Sequence, residues 1–131
     1  MARTIATFLM FEGKAEEALK LYVSLFAGSE IGRIERYADG EPGAAGSVKR
    51  AEFTLGEHRL MCIDSPIKHG FTFTPSISLF VECQDEAEQE RAFQELSTGG
   101  GVLMPLGNYG FSTRFGWLND RFGVSWQLNL Q

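Results

Sequence analysis

Histidine and cysteine are both scarce: His58 and His69 are the two histidines of the chain, Cys62 and Cys83 its two cysteines. Two cysteines cannot build a disulfide framework, and neither stands in a Cys-x-x-Cys or Cys/His pattern of metal-ligand spacing. Both fall in apolar, strand-like runs, where a free thiol acts as a small buried hydrophobe. No apolar run approaches the roughly 20 residues that cross a bilayer. The opening Met1-Ala2-Arg3-Thr4 lacks the apolar centre and cleavage site of a secretory leader. A reduced, cytoplasmic protein with no membrane partner is the expectation. A basic excess is missing too. The formal net charge is −5, with Lys and Arg scattered along the chain, which argues against a nucleic-acid partner. Phosphate loop, Gly-x-Ser-x-Gly elbow and His-Glu-x-x-His motif are all absent.

What is present is an order of elements that repeats. An apolar run over Thr4–Phe11 reads as a buried strand. A helix follows from about Lys14, with Ala15, Ala18, Leu19, Tyr22, Leu25 and Phe26 at helical spacing and Gly28 as its stop. Strands are expected near Ile31–Tyr37, Val48–Leu55 and His58–Asp64, the last two joined by a tight turn at Gly56-Glu57. The glycine-rich segment Ala38–Ser47 reads as a flexible loop. The succession then recurs: a strand over Ser76–Cys83, and a helix capped by Asp85 and ended by Gly99. Strands near Val102–Pro105, Ser112–Leu118 and Gly123–Leu130 complete it. Thr7 aligns with Ser76 and Gly28 with Gly99. The spacing predicts an α+β fold of two tandem βαβββ modules, residues 1–66 and 74–131, within a single domain spanning 1–131.

The C-terminal run Phe115–Asn129 contains Asp120-Arg121-Phe122-Gly123-Val124-Ser125-Trp126. With Phe11–Phe26 and Leu60–Pro66, it resembles the PhnB-like branch of the vicinal-oxygen-chelate superfamily, which holds glyoxalase I and the bleomycin-resistance proteins. That branch often carries the label of a demethylubiquinone methyltransferase, although no strand–Gly-rich-loop–helix unit for an adenosyl cofactor stands in the chain. The resemblance implies a cupped mixed sheet with its helices on the outer face. It further implies homodimers and a cleft whose metal ligands, where a member has them, come from the first, fourth, fifth and eighth strands. Here those positions carry Thr7, Cys62 or Asp64, Ser76 and Gln127. Hydroxyls are weak donors, so no metal and no cofactor are expected.

Along the last strand Val124, Trp126, Leu128 and Leu130 alternate with Ser125, Gln127 and Asn129, so one face is apolar and the other polar. Polar groups on a central strand need partners, either a ligand or their neighbours across the sheet. Arg50, Glu52, Ser76, Ser78, Arg114, Gln127 and Asn129 are candidates for one cleft. Phe71, Phe73, Tyr109, Phe111 and Trp117 stand in or beside the larger loops, and suit either a small-molecule pocket or an interface between two copies of the chain. Three functions stay open: a metal-free small-molecule binder, an enzyme and an assembly module. The enzyme would use Glu52 or Asp64 as acid or base and Arg50 or Arg114 to hold an anion.

Overall fold

The protein is described by a computed structural model covering residues 2–131; Met1, part of the expected first module, lies outside the described residues. The chain forms two compact units, residues 1–69 and 70–131. The first contains β1 (Thr7–Phe11), α1 (Ala15–Leu25), β2 (Glu30–Arg36), β3 (Val48–Leu55) and β4 (His58–Asp64). The second contains β5 (Leu79–Glu82), α2 (Glu86–Ser97), β6 (Gly101–Gly107), β7 (Arg114–Asn119) and β8 (Ser125–Leu130). Each unit is therefore a βαβββ module with one four-stranded mixed sheet. The orders are β1-β4-β3-β2 and β5-β8-β7-β6, with β1–β4 and β5–β8 parallel.

In the first unit the expected helical stripe is the buried one: Ala15, Ala18, Leu19, Tyr22, Leu25 and Phe26 all lie in the core. They pack on Leu9 and Phe11 of β1, Ala51 and Phe53 of β3, and Leu60 and Cys62 of β4, which share the inner face of the sheet. No side chain of the α1 N-cap residue, Lys14, bonds to the helix. The cap comes from across the sheet. Asp64, at the end of β4, accepts hydrogen bonds from the Gly13 and Ala15 amides at 2.8 and 2.9 Å, and its second oxygen takes the Val48 amide at 2.9 Å.

The second unit repeats the plan with different chemistry. Asp85 caps α2 as expected, accepting from the Glu88 amide, while Glu88 reaches back to the Gln84 amide. The pair satisfies the Glu88 amide in the first turn and the Gln84 amide just before the cap, a variant of the reciprocal capping box. Trp126, Leu118, Leu128, Ala92 and Leu96 are fully buried between helix and sheet. Gln89, also buried, donates to the carbonyls of Arg114 and Leu128 and so ties α2 to β7 and β8.

Several boundaries differ from expectation. Residues 4–6 are not strand, because the β1–β4 ladder begins at Thr7–Leu60, close to the turn that opens β4. The fifth strand starts at Leu79 instead of Ser76. Thr74 and Ser76 are engaged with each other through a local turn, in which the Ser76 amide donates to Thr74 Oγ1. The segment 38–47, read as flexible, is closed by backbone bonds from Tyr37 N to Ser47 O and from Gly46 N to Tyr37 O, both 2.9 Å. Gly99-Gly100-Gly101, where the second helix is expected to end, is a close-packed corner. A Cβ on Gly100 would stand 2.1 Å from the Asn119 carbonyl oxygen. One outer strand of each sheet is irregular: register shifts interrupt β2 after Ile31 and again after Glu35, and interrupt β6 after Val102 and after Met104, with Pro105 inside it.

Candidate functional site

Strand alternation sorts the candidate residues onto two faces of each sheet. Thr7 falls on the face of Leu9 and Phe11, the one α1 covers, at the end of its strand; its hydroxyl bonds His58 Nε2 at 2.9 Å. Asp64 shares that face and is 97% buried, with both oxygens spent on backbone amides. Arg114 lies on the helix side of the second sheet. Its Nε donates to Gln89 Oε1 at 2.7 Å, and its guanidinium pairs with Glu86 and Glu90. Ser76 stays in its local turn with Thr74. Each of these four side chains is engaged within its own unit.

On the helix-free face of the first sheet, Arg33, Glu35, Arg50 and Glu52 line a hollow of about 90 Å³. Arg33 pairs with Glu35 at 2.5 Å, and Glu52 is approached by Arg50 at 3.6 Å and Arg59 at 3.4 Å. A hollow of that size holds a few waters, at about 30 Å³ each. Organic ligands fill several hundred Å³. The close Arg–carboxylate pairs are exposed, and an enzyme site would bury such a pair in a closed pocket.

The helix-free face of the second sheet is richer. The register sets Phe80 beside Gln127 and Trp117, and Glu82 beside Asn129 and Phe115. A row of polar contacts runs across these strands. The Ser78 hydroxyl bonds that of Ser125 at 2.6 Å, Trp117 Nε1 donates to Ser125 Oγ at 2.9 Å, and Gln127 Nε2 donates to Ser78 Oγ at 3.2 Å. Asn129 Nδ2 donates to Glu82 Oε1 at 2.8 Å, and Ser112 donates to Asn129 Oδ1. Ser125 and Asn129 are buried beneath this network, while Gln127 and Trp117 are partly open. Cross-strand bonding thus satisfies the polar side of β8. Asn119 Oδ1, on the same face of β7, is buried with no hydrogen-bond partner.

Aromatic rings border this row. Phe111 meets Phe115 edge-on at 5.0 Å, Tyr109 does so at 6.2 Å, and Phe80 lies 6.5 Å away. Phe80 and Phe111 remain more than half exposed. The structure therefore brings together Ser78, Trp117, Gln127 and Asn129, all expected from the sequence, and adds Phe80, Glu82 and Asn119. Two-residue alternation from Phe80 to Glu82 was the signal available for the additions, in a strand too short to display it well.

A divalent metal of the kind the fold family uses does not fit these residues. Thr7 is bonded to His58, Asp64 to three amides, Ser76 to Thr74 and Gln127 to Ser78. Cys62 is buried, and burial first, then the Asp64 charge, pushes its thiol up to about 12, away from the thiolate a metal needs. Among the described residues, no three His, Cys, Asp or Glu side chains gather in metal-binding geometry.

The sequence profile of a family described as 3-demethylubiquinone-9 3-methyltransferase matches residues 3–129. Among solved structures, a PhnB protein from Bacillus cereus is 56% identical, with a TM-score of 0.95 over 98% of this chain and 100% of that one. Protein PA1353 from Pseudomonas aeruginosa is 30% identical, with a TM-score of 0.84 over 99% and 98%. The fosfomycin resistance protein FosX from Mesorhizobium loti is 11% identical, with a TM-score of 0.62 over 100% and 94%, a likeness of fold. No curated protein matches the chain. Methyl transfer from an adenosyl donor would call for a nucleotide site of the kind built from a strand, a glycine-rich loop and free helix-end amides. Here carboxylates of the protein occupy the helix starts, Asp64 at α1 and Asp85 with Glu88 at α2, and the glycine triplet follows α2. The residues do not fit that donor.

Proposed function

We propose that this chain, which belongs to the 3-demethylubiquinone-9 3-methyltransferase family in its PhnB-like branch, binds a small organic molecule on the helix-free face of its second sheet, without a metal. One observation carries the reading: a central polar row, held by its own cross-strand bonds, lies beside exposed aromatic rings on a face no helix covers. Fixed polar groups among aromatic walls suit recognition of a flat, partly polar molecule. Gln127 and Trp117 are the groups a ligand reaches, with Ser78 and Asn129 holding the surface in shape. Arg50 and Glu52 belong to the separate charged hollow of the first unit.

Native mass spectrometry of freshly purified protein tests this. The expected result is a bound small molecule whose occupancy falls in Gln127→Ala and Trp117→Ala at unchanged folding. Loss of the adduct in neither variant would place the ligand elsewhere, and the reading would fail.

Self-association is part of the same reading. Open strand edges and exposed apolar side chains, among them Ile5, Phe8, Ile77 and Phe80, favour a two-fold homodimer. Light scattering at micromolar concentration should give twice the 14.6 kDa chain mass. A chain-sized mass that holds across a broad concentration range would exclude the dimer.

A further inference from the structure

The face just described has a sign of charge. Its unit, residues 70–131, carries seven acidic side chains against three basic ones, Arg91, Arg114 and Arg121. On the four strands themselves only Glu82 and Arg114 are charged, and they point to opposite faces. Arg114 is committed on the helix side to Gln89, Glu86 and Glu90. Arg121 lies over the ring of Phe122, with 4.5 Å from guanidinium carbon to centroid, in the turn that joins β7 to β8. Glu82 is thus the one charged side chain that the strands present among Phe80, Phe115, Phe111 and Tyr109. Asn129 holds its Oε1 in place and takes a hydrogen bond from Ser112 in turn.

We propose that the molecule taken by this face is an organic cation, an alkylated ammonium or a positively charged heteroaromatic ring. The proposal rests on the binding face assigned above and names the chemical class of its ligand. A carboxylate beside several aromatic rings, with no basic group on the same strands' face, attracts positive charge in two ways. Glu82 supplies a direct ion pair, and ring faces supply the quadrupole attraction that favours cations over neutral molecules of the same shape. An anionic ligand would meet Glu82 uncompensated. The hydrogen bond from Asn129 fixes one carboxylate oxygen and leaves the other for the ligand.

Calorimetric titration of the full chain with N-methylquinolinium and with neutral quinoline, at mildly alkaline pH, separates charge from shape. The cation should bind roughly tenfold more tightly, the scale of a single cation–π or exposed ion-pair contribution. Glu82→Gln keeps an oxygen for Asn129 and should remove most of that preference while leaving quinoline binding unchanged. Phe80→Ala should weaken both. If quinoline binds as tightly as its N-methyl cation, or if Glu82→Gln leaves the preference intact, the ligand is not a cation, although the binding face stands. If neither probe binds, the cation proposal falls. The native mass measurement then decides separately whether the face binds anything.

Discussion

Asp120 and Trp126 hold each other in the core of the second unit: carboxylate Oδ2 accepts the indole N–H at 2.9 Å, with both residues nearly inaccessible to solvent. The other carboxylate oxygen takes the amides of Phe122 and Val124, and Gly123, at a positive φ of 94°, closes the turn onto the Asp120 carbonyl. The most recognisable motif of the sequence is therefore a brace. It anchors β8, whose opposite side faces the candidate ligand.

Removing either member should unfold the unit more easily. Trp126→Ala is expected to cost roughly 3–5 kcal/mol, as large-to-small core changes do. Asp120→Ala strands two buried donors, the Val124 amide and the Trp126 indole, at about 1–3 kcal/mol each, and the part-buried Phe122 amide, so a loss of about 3 kcal/mol or more is expected. Because the two residues share one bond, the double variant should lose less than the sum. Urea unfolding curves measure all three. Additive losses would mean the bond contributes nothing.

Asp64 should prove structural in the same way. Asp64→Ala leaves the Gly13, Ala15 and Val48 amides without their partner and should lower stability by about 3 kcal/mol, chiefly at the start of α1. Asp64→Asn keeps one acceptor and turns a donor toward Val48, so a smaller loss is expected. Hydrogen exchange at Ala15 and Val48, compared with global unfolding, checks the location. Unaltered protection there in a destabilised variant would contradict the capping role.

This difference between scaffold and site also marks how far the sequence could be read. The stripe from Ala15 to Phe26 is periodic over several turns and buries as its spacing implies; along β8 the alternation sorts the two faces, but Ser125 and Asn129 on the polar face are buried as well. Side-chain chemistry marks a residue as a ligand candidate but does not report its direction. Arg114 is one pleat from Phe115, and that single step sends it to the helix and into the grip of Gln89. Asp64 looked like an available acid because its three partners are backbone amides, distant in sequence and identical at every residue. Glu82 was missed because β5 has four residues, too few to show an alternation against the neighbouring turn.

Acid should reveal the Glu16 contribution. Hydrogen bonds from Arg36, then from Lys20, hold its carboxyl at about 2, below the usual 4.5. A depressed carboxylate stabilises the fold fully above the unfolded value, and that stabilisation drains away as pH falls from about 4.5 toward 2. These groups face water, so the effect should be small, the usual case for surface pairs. Wild type should exceed Glu16→Gln in urea midpoint near neutral pH, and the gap should close across that acid window. A gap independent of pH would show that charge is not its source.

The two thiols should be inert in the folded chain. Cys62 and Cys83 are buried, and burial pushes both to about 12, leaving negligible thiolate at neutral pH. A thiol-specific chromogenic reagent should react slowly in buffer and release two equivalents per chain in denaturant. Rapid labelling without denaturant would contradict the burial of these strands.

The kinks in β2 and β6 bear on how the molecule behaves in a crowd. A strand recruits another by presenting an unbroken row of amides and carbonyls, and β2 and β6 each break that row twice. Proline at position 105 withdraws one donor more, and the Glu30–Arg36 segment adds alternating signs of charge. Along β2 and β6 neither sheet offers a neighbour a continuous hydrogen-bonding pattern, whereas β1 and β5, the opposite edges, pair without a register shift. Strand addition is therefore discouraged at β2 and β6 and left to the edges at β1 and β5. At β2 and β6 close encounters are left to side chains, and fibre growth through those two edges is resisted by the same irregularities that interrupt their pairing.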